Sequence, residues 1–182
     1  AEAVAVLRGE NVSDLREVCI CLAANMVALT FDLPVEEAEK RVITAIDSGA
    51  AYEKMKEWIS AQGGDVSYIE DTSKFERASI VHEVKCPTDG YIHDMDAEGI
   101  GNASVVLGAG RLAKGDPIDF AAGIVIRGKA GDKVNKGDVL CELHTNNPDA
   151  VADAEKRYLD ALVFGSEQPQ KKPLIYKVVK GE

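Results

Sequence analysis

Up to Gly64 the apolar residues recur every three or four positions, and beyond Arg77 they gather in short β-branched runs. The first pattern predicts helices and the second strands. Ala1 to Leu7 suits the last turns of a helix stopped by Gly9, and Ser13 followed by Asp14 and Glu17 marks a new helix start. In that second helix Leu15, Val18, Cys19, Leu22, Met26 and Leu29 form one apolar stripe, while Ile20, Val27 and several alanines make the opposite side nearly as apolar. A helix apolar on all sides is expected to be buried. Pro34 suits the first turn of a third helix, in which Val35, Ala38, Val42, Ala45 and Ile46 line one face while Glu36/Lys40 and Glu37/Arg41 pair on the other. Gly49 separates it from a fourth, with Ala51, Met55, Trp58 and Ile59 inward, closed by Gly63-Gly64.

The polar stretch Asp65 to Arg77 has no sustained period, so the domain boundary is expected there, dividing the chain into residues 1–72 and 73–182. Beyond it Ile80 to Cys86 reads as a strand, Pro87 to Gly90 as a turn, and Tyr91-Ile92 as the opening of a second strand. Asp96 can cap a helix running to about Leu107, and Phe120 to Ile126 and Val139 to His144 read as the arms of a hairpin around the turn Gly131 to Asp138. Asn147-Pro148-Asp149 starts another helix, with Val151, Ala154, Tyr158 and Leu162 inward and Gly165 closing it; after the connection 168–173, Leu174 to Val179 can add a last strand. No internal repeat is read. The expected fold class is α+β, a helical segment followed by a strand-rich domain.

Composition narrows the function classes. The 182 residues are 46% hydrophobic and 29% charged, a globular balance, and no apolar run approaches the ~18 residues that span a bilayer. The formal net charge of −10 disfavours nucleic acid and anionic membranes as partners, because both demand clustered Lys and Arg. No basic region precedes an apolar stretch, so a cytoplasmic protein is expected. The four cysteines fit reduced thiols: Cys19 and Cys21 point apart on one helix, and Cys86 and Cys141 fall in apolar runs.

Candidate chemistry is sparse. Gly99-Ile100-Gly101 and Gly108-Ala109-Gly110 could cradle phosphate, but the second run follows its helix and no Lys-Ser/Thr pair follows, so a tight helix-to-strand connection is the better reading. His82, His93 and His144 are too scattered for a local metal pattern. Asp94, Asp96 and Glu98 coincide with a helix start, where carboxylates favour the dipole. Lys133 and Lys136 sit in a turn whose glycines permit positive φ, and are read as solvated.

Several segments together carry a resemblance. They are Glu2-Ala3 with Leu7-Arg8-Gly9, Asp14-Leu15 through Cys19, Ala61-Gln62-Gly63-Gly64-Asp65, Asp89-Gly90-Tyr91-Ile92, Ile100-Gly101, Leu107 to Arg111, Lys114-Gly115-Asp116-Pro117-Ile118-Asp119, and the hairpin Ala122 to Asn146. The chain resembles the C-terminal portion of the pyrimidine-nucleoside and thymidine phosphorylases, the class II nucleoside phosphorylases. The resemblance implies that residues 1–72 are a helical segment of a larger α/β domain. It implies that residues 73–182 are the family's C-terminal domain, an α/β-hammerhead-like unit with a barrel-sandwich hairpin. It also implies reversible phosphorolysis, in which phosphate, as co-substrate, attacks C1′ of a pyrimidine nucleoside and the base departs.

That chemistry needs a held phosphate, donors on the leaving base and a desolvated cleft. The family supplies them from a Lys-His-Ser-Thr-Gly-Gly segment and from Arg, Ser and Lys residues in its N-terminal half, and none of these motifs lies in this sequence. No catalytic residue is therefore assigned here, and the segment alone is expected to be inactive without the N-terminal half. By the same resemblance Glu2 corresponds to a glutamate that helps hold a potassium ion in the bacterial enzymes, and the whole enzyme is expected to be a homodimer. Two other readings stay open: a biotinyl- or lipoyl-like carrier, for which Lys129 in Gly128-Lys129-Ala130 is the nearest acceptor, and a stand-alone interaction module.

Overall fold

The computed structural model describes residues 1–10, 12–111, 113–170 and 172–179. The chain divides into two compact units: residues 1–74 with the segment after Lys172, and residues 75–172.

The first unit is helical. α1 (Glu2–Leu7) ends before Gly9, whose φ of 79° turns the chain out of the helix. α2 spans Ser13–Phe31, with Val12 rather than Ser13 at the cap position, and terminates on Asp32 in the left-handed region. α3 (Val35–Asp47) follows Pro34, which stands at its cap position, one residue before the expected first-turn place. Its Ala38 and Ile46 are buried as the periodicity requires, and Glu37 pairs with Arg41 at 2.7 Å on the outer face. The small side chains Ala24, Ala28 and Ala38 let α2 and α3 pack closely.

α2 departs from expectation. Only the side carrying Ile20, Ala24 and Ala28 is buried, whereas Leu22, Met26 and Leu29 of the expected core stripe are 61%, 69% and 86% exposed. With two apolar sides, the packing of α3 decides which is covered. In α4 (Ala50–Ala61), Ala51, Met55 and Ile59 are half-buried as expected, but Trp58 is exposed. The stretch read as unstructured contains a helical turn, α5 (Ser67–Glu70), and a 3-10 turn at Thr72–Lys74, each preceded by an aspartate that accepts from a serine backbone N–H two residues on.

The second unit holds two antiparallel three-stranded sheets. β1 (Ile80–Lys85) and β3 (Gly123–Ile126) flank β5 (Val139–Thr145) in one. β4 (Lys133–Val134) and β6 (Leu162–Gly165) flank β2 (Gly90–Met95) in the other. α6 (Ala97–Ser104) and α7 (Val151–Asp160) pack on each other. The core joins both sheets to both helices through Val84, Ile92, Leu107, Leu140, Leu143 and Tyr158. Each fully buried Leu contributes roughly 1.5–3 kcal/mol relative to exposure.

The α+β class is as the sequence pattern indicated. The expected hairpin arms do pair, Ile124 opposite Leu143 and Ile126 opposite Cys141. Their connection is not a simple turn, because β4 lies within it and pairs with β2 in the other sheet. Phe120 lies outside the arm and is 90% exposed. The expected helix through Leu162 stops at Asp160, and Leu162 opens β6 instead, opposite Met95. Leu174 to Val179 forms no ladder among the described residues, although its composition suits a strand.

Candidate functional site

In the first unit Glu2 occupies the first turn of α1 and is exposed, where its charge favours the helix dipole. Arg8, at the other end of α1, is the unit's polar hub. Its guanidinium donates to the Tyr52 hydroxyl at 3.0 Å and to the carbonyls of Ile69 and Glu70 at 2.8 and 2.7 Å, and it lies 5.1 Å from the Tyr52 ring centroid. Lys56 bridges Glu53 and Glu70 at 3.3 and 3.1 Å, and the Glu70 carboxylate, then Glu53, raises its pKa. Between α2 and α3 runs a groove of about 530 Å³, lined by Arg16, Ile20, Asn25, Ile43 and, from the last segment, Ile175. Arg16 is held there by Asp47 at 3.1 Å.

In the second unit the expected helix cap is present: the Asp96 carboxylate accepts from the Glu98 N–H at 3.1 Å. Asp94 pairs instead with Lys172 at 3.4 Å, so the three acids do not converge. α6 passes into a π-helical turn at Val105–Ala109, where Gly108 takes φ 110°. A Cβ on Gly99 would lie 2.9 Å from the Ala161 Cβ, and one on Gly110 would lie 2.6 Å from a Val105 methyl. These glycines serve close packing. The turn is pinned by Thr145, fully buried, whose hydroxyl donates to the Leu107 carbonyl at 2.7 Å and accepts from the Asn147 N–H at 3.0 Å.

The histidines stay apart. His82 meets Glu155 of α7 at 2.8 Å, His93 meets the Glu167 carbonyl at 2.6 Å, and His144 lies 3.6 Å from Glu142. His82 pairs with Leu143 in the β1/β5 register, so His144, the next residue along, faces the other side of the sheet. Glu142, two residues before His144 and on the same face, is held below the usual carboxylate range chiefly by Arg127 at 2.8 Å, with His144 adding to it. Among the described residues no three His, Cys, Asp or Glu side chains gather as metal ligands would.

The second unit repeats one turn, once before β3 and twice in the connection from β3 to β5, a repetition that sequence reading missed. Ala113-Lys114-Gly115-Asp116, Lys129-Ala130-Gly131-Asp132 and Asn135-Lys136-Gly137-Asp138 each place glycine at φ 101°, 97° and 94°, respectively. In each the aspartate carboxylate accepts the N–H three residues back, at 2.7, 2.8 and 2.8 Å. The signal was a Gly-Asp pair at the third and fourth places of each turn. Asp89 adds a bond to the Lys136 N–H at 2.7 Å, fastening the β1–β2 turn to this connection. Lys133 opens β4 on its exposed side, and the Lys129 N–H is one of the turn bonds.

All four cysteines are free. Cys141 is fully buried, and desolvation pushes its thiol up to about 12, outweighing the Tyr158 hydroxyl beside it. Tyr158 is raised too, by burial first and by Cys141 second, and donates to the Leu140 carbonyl at 3.4 Å. A thiol this hard to ionise is no nucleophile at neutral pH. Most of these polar groups serve turns, caps and surface pairs, whereas the buried His144 Nε2 has no hydrogen-bond partner among the described residues.

Residues 91–164 match the pyrimidine nucleoside phosphorylase C-terminal domain. Over 179 residues the chain is 40% identical to the pyrimidine-nucleoside phosphorylase of Staphylococcus aureus (strain bovine RF122 / ET3-1), covering 98% of this chain and 41% of that protein. The proteins of that name from strains USA300 and COL match to the same extent. The chain spans about two fifths of the length of these relatives. Over nearly all of its length the chain is similar to the C-terminal portion of pyrimidine-nucleoside phosphorylases.

Proposed function

We propose that these 182 residues serve as the C-terminal portion of a pyrimidine-nucleoside phosphorylase, which converts a pyrimidine nucleoside and phosphate reversibly to free base and pentose 1-phosphate. The observation that carries the reading is 40% identity sustained over 98% of the chain. In the reaction a phosphate oxygen forms the bond to C1′ as the bond from C1′ to the base nitrogen breaks, and the electron pair leaves with the pyrimidine. Such a transition state gains from preorganised cations and donors around phosphate and base. The second unit supplies a stiff scaffold, with its core, pinned π-turn and fastened turns, and the phosphate and base contacts come from the portion of the enzyme that precedes the matched region.

The enzyme is proposed to be a cytoplasmic homodimer. For a potassium ion this chain offers Glu2, an exposed carboxylate in the first turn of α1. A hard cation takes six or so oxygens, and one carboxylate does not make that set. The test is complementation. Joining the N-terminal portion of the Staphylococcus aureus relative to this chain is expected to give release of uracil or thymine that depends on phosphate; a folded assembly with no release would refute the proposal.

A further inference from the structure

One buried polar atom stands apart on the face of the β1-β5-β3 sheet that carries Glu142 and His144. Among the described residues, His144 Nε2 is the only buried side-chain nitrogen or oxygen without a hydrogen-bond partner. Such an atom calls for a cause, because leaving it unpaired costs free energy that the rest of the fold must offset. Glu142 Oε2 lies 3.6 Å away, beyond hydrogen-bond reach. Arg127 does not compete for that oxygen, since its Nε and Nη2 both donate to Oε1, at 3.1 and 2.8 Å. The carboxylate thus has one oxygen occupied and the other turned toward the histidine.

We infer that Arg127, Glu142 and His144 form a proton-operated brace on the edge strand β3: when His144 takes up one proton, Nε2 donates to Glu142 Oε2 and the triad closes. A neutral ring presents that nitrogen either as a lone pair facing a carboxylate or as a donor that falls short of it. The protonated ring is a charge-assisted donor, and a movement of about 0.7 Å brings it to bonding distance. β3 has only β5 as a ladder partner, and Arg127 follows directly on β3, so the closed triad fastens the end of that strand to β5. Gly123 stands opposite His144 in the register and brings no side chain that could serve Nε2 instead. The other charged groups on this face are Glu83, opposite Glu142, and Lys85, which pair with each other at 2.6 Å. The π-turn against β5 carries no charge, and Glu155 of α7 is engaged by His82 on the opposite face. Two carboxylates balance Arg127 and Lys85, so no excess of cations repels the proton. The folded chain gains a bond by holding it, so the added stability is present below the histidine range of about pH 6–7 and is lost as pH rises through it. Glu142, held low chiefly by Arg127, keeps its charge across that window.

The test compares the 182-residue chain with its Glu142→Gln and His144→Gln variants at pH 6 and pH 8. Between those values the melting temperature of the second unit is expected to drop by about 2–4 °C more in the parent than in either variant. His82 and His93 are present in all three chains, so their contributions cancel. Amide exchange over residues 123–126, corrected for its intrinsic dependence on pH, is expected to be roughly threefold slower at pH 6 than at pH 8 in the parent alone. Long-range proton–nitrogen correlation NMR of the parent is expected to find both ring nitrogens of His144 protonated at pH 6 and one at pH 8. An equal drop in melting temperature in all three chains would overturn the brace. So would a His144 ring still neutral at pH 6, a reading that needs no variant and decides the matter if a substituted chain does not fold.

Discussion

Replacing Thr145 by valine keeps the shape and removes the hydroxyl that pins the π-turn. Thr145 is fully buried, and its Oγ1 donates to the Leu107 carbonyl at 2.7 Å while accepting from the Asn147 N–H at 3.0 Å. An orphaned buried carbonyl costs about 1–3 kcal/mol, and the half-buried Asn147 N–H adds less because water can reach it. The added methyl returns up to about 0.8 kcal/mol of apolar burial. The net expectation is a loss of about 1–3 kcal/mol, or roughly 5–20 °C in the melting temperature of a unit of this size. Trp58, the only tryptophan, lies in the first unit, so its fluorescence reports on the wrong part of the chain. Calorimetry of the second unit's transition is the assay, with Thr145→Ser as the control that keeps the hydroxyl. Amide exchange at Gly108 to Arg111 should accelerate in the valine variant alone. A valine variant within about 0.5 kcal/mol of the parent, or a serine variant as unstable as valine, would refute the pinning role.

Other outcomes follow from the same geometry. In the native chain Cys19 should react with thiol reagents in minutes while Cys141, its thiol pushed up to about 12, stays silent until unfolding; peptide mapping after alkylation checks both. Gly90→Ala places a Cβ 2.4 Å from the Gly165 carbonyl oxygen at φ 144°, so it should destabilise the second unit by more than Gly131→Ala, which meets only open space at φ 97° and suffers strain of about 1 kcal/mol. Urea denaturation ranks the two. For Glu142 the folded pKa is depressed, so its contribution to stability is present above its unfolded value and fades as pH falls through the lower folded one. Arg127→Met should raise the Glu142 pKa in an NMR titration, and an unchanged value would show that the pair is screened away.

Local patterns carried much of the architecture. The β5 arm, the Asp96 cap, the Gly9 and Gly63 helix ends and the α3 face are each dictated by neighbours in sequence. The failures lie where a distant partner decides. Leu162 continues the stripe of Val151, Ala154 and Tyr158, so helical periodicity runs through it, yet pairing with Met95 takes it into a strand. α2 presents two apolar sides, and only the position of α3 selects between them. Asp89 and Asp138 look like solvated turn acids until their backbone partners are seen. No catalytic residue was assigned from chemistry within the chain, because most of the carboxylates, histidines and lysines singled out serve caps, turns and surface pairs among the described residues; the proposed function was legible only as a resemblance spread over many short segments.

The central proposal is that this chain is the C-terminal portion of a phosphorylase whose reacting groups lie in another part of the polypeptide. It is tested most directly by measuring uracil and thymine release from uridine and thymidine, with and without phosphate, for this chain alone and joined to the N-terminal portion of the Staphylococcus aureus relative. The account predicts release only from the joined chain and only with phosphate present. Phosphate-dependent release by the 182 residues alone, or none from a folded joined chain, would contradict it.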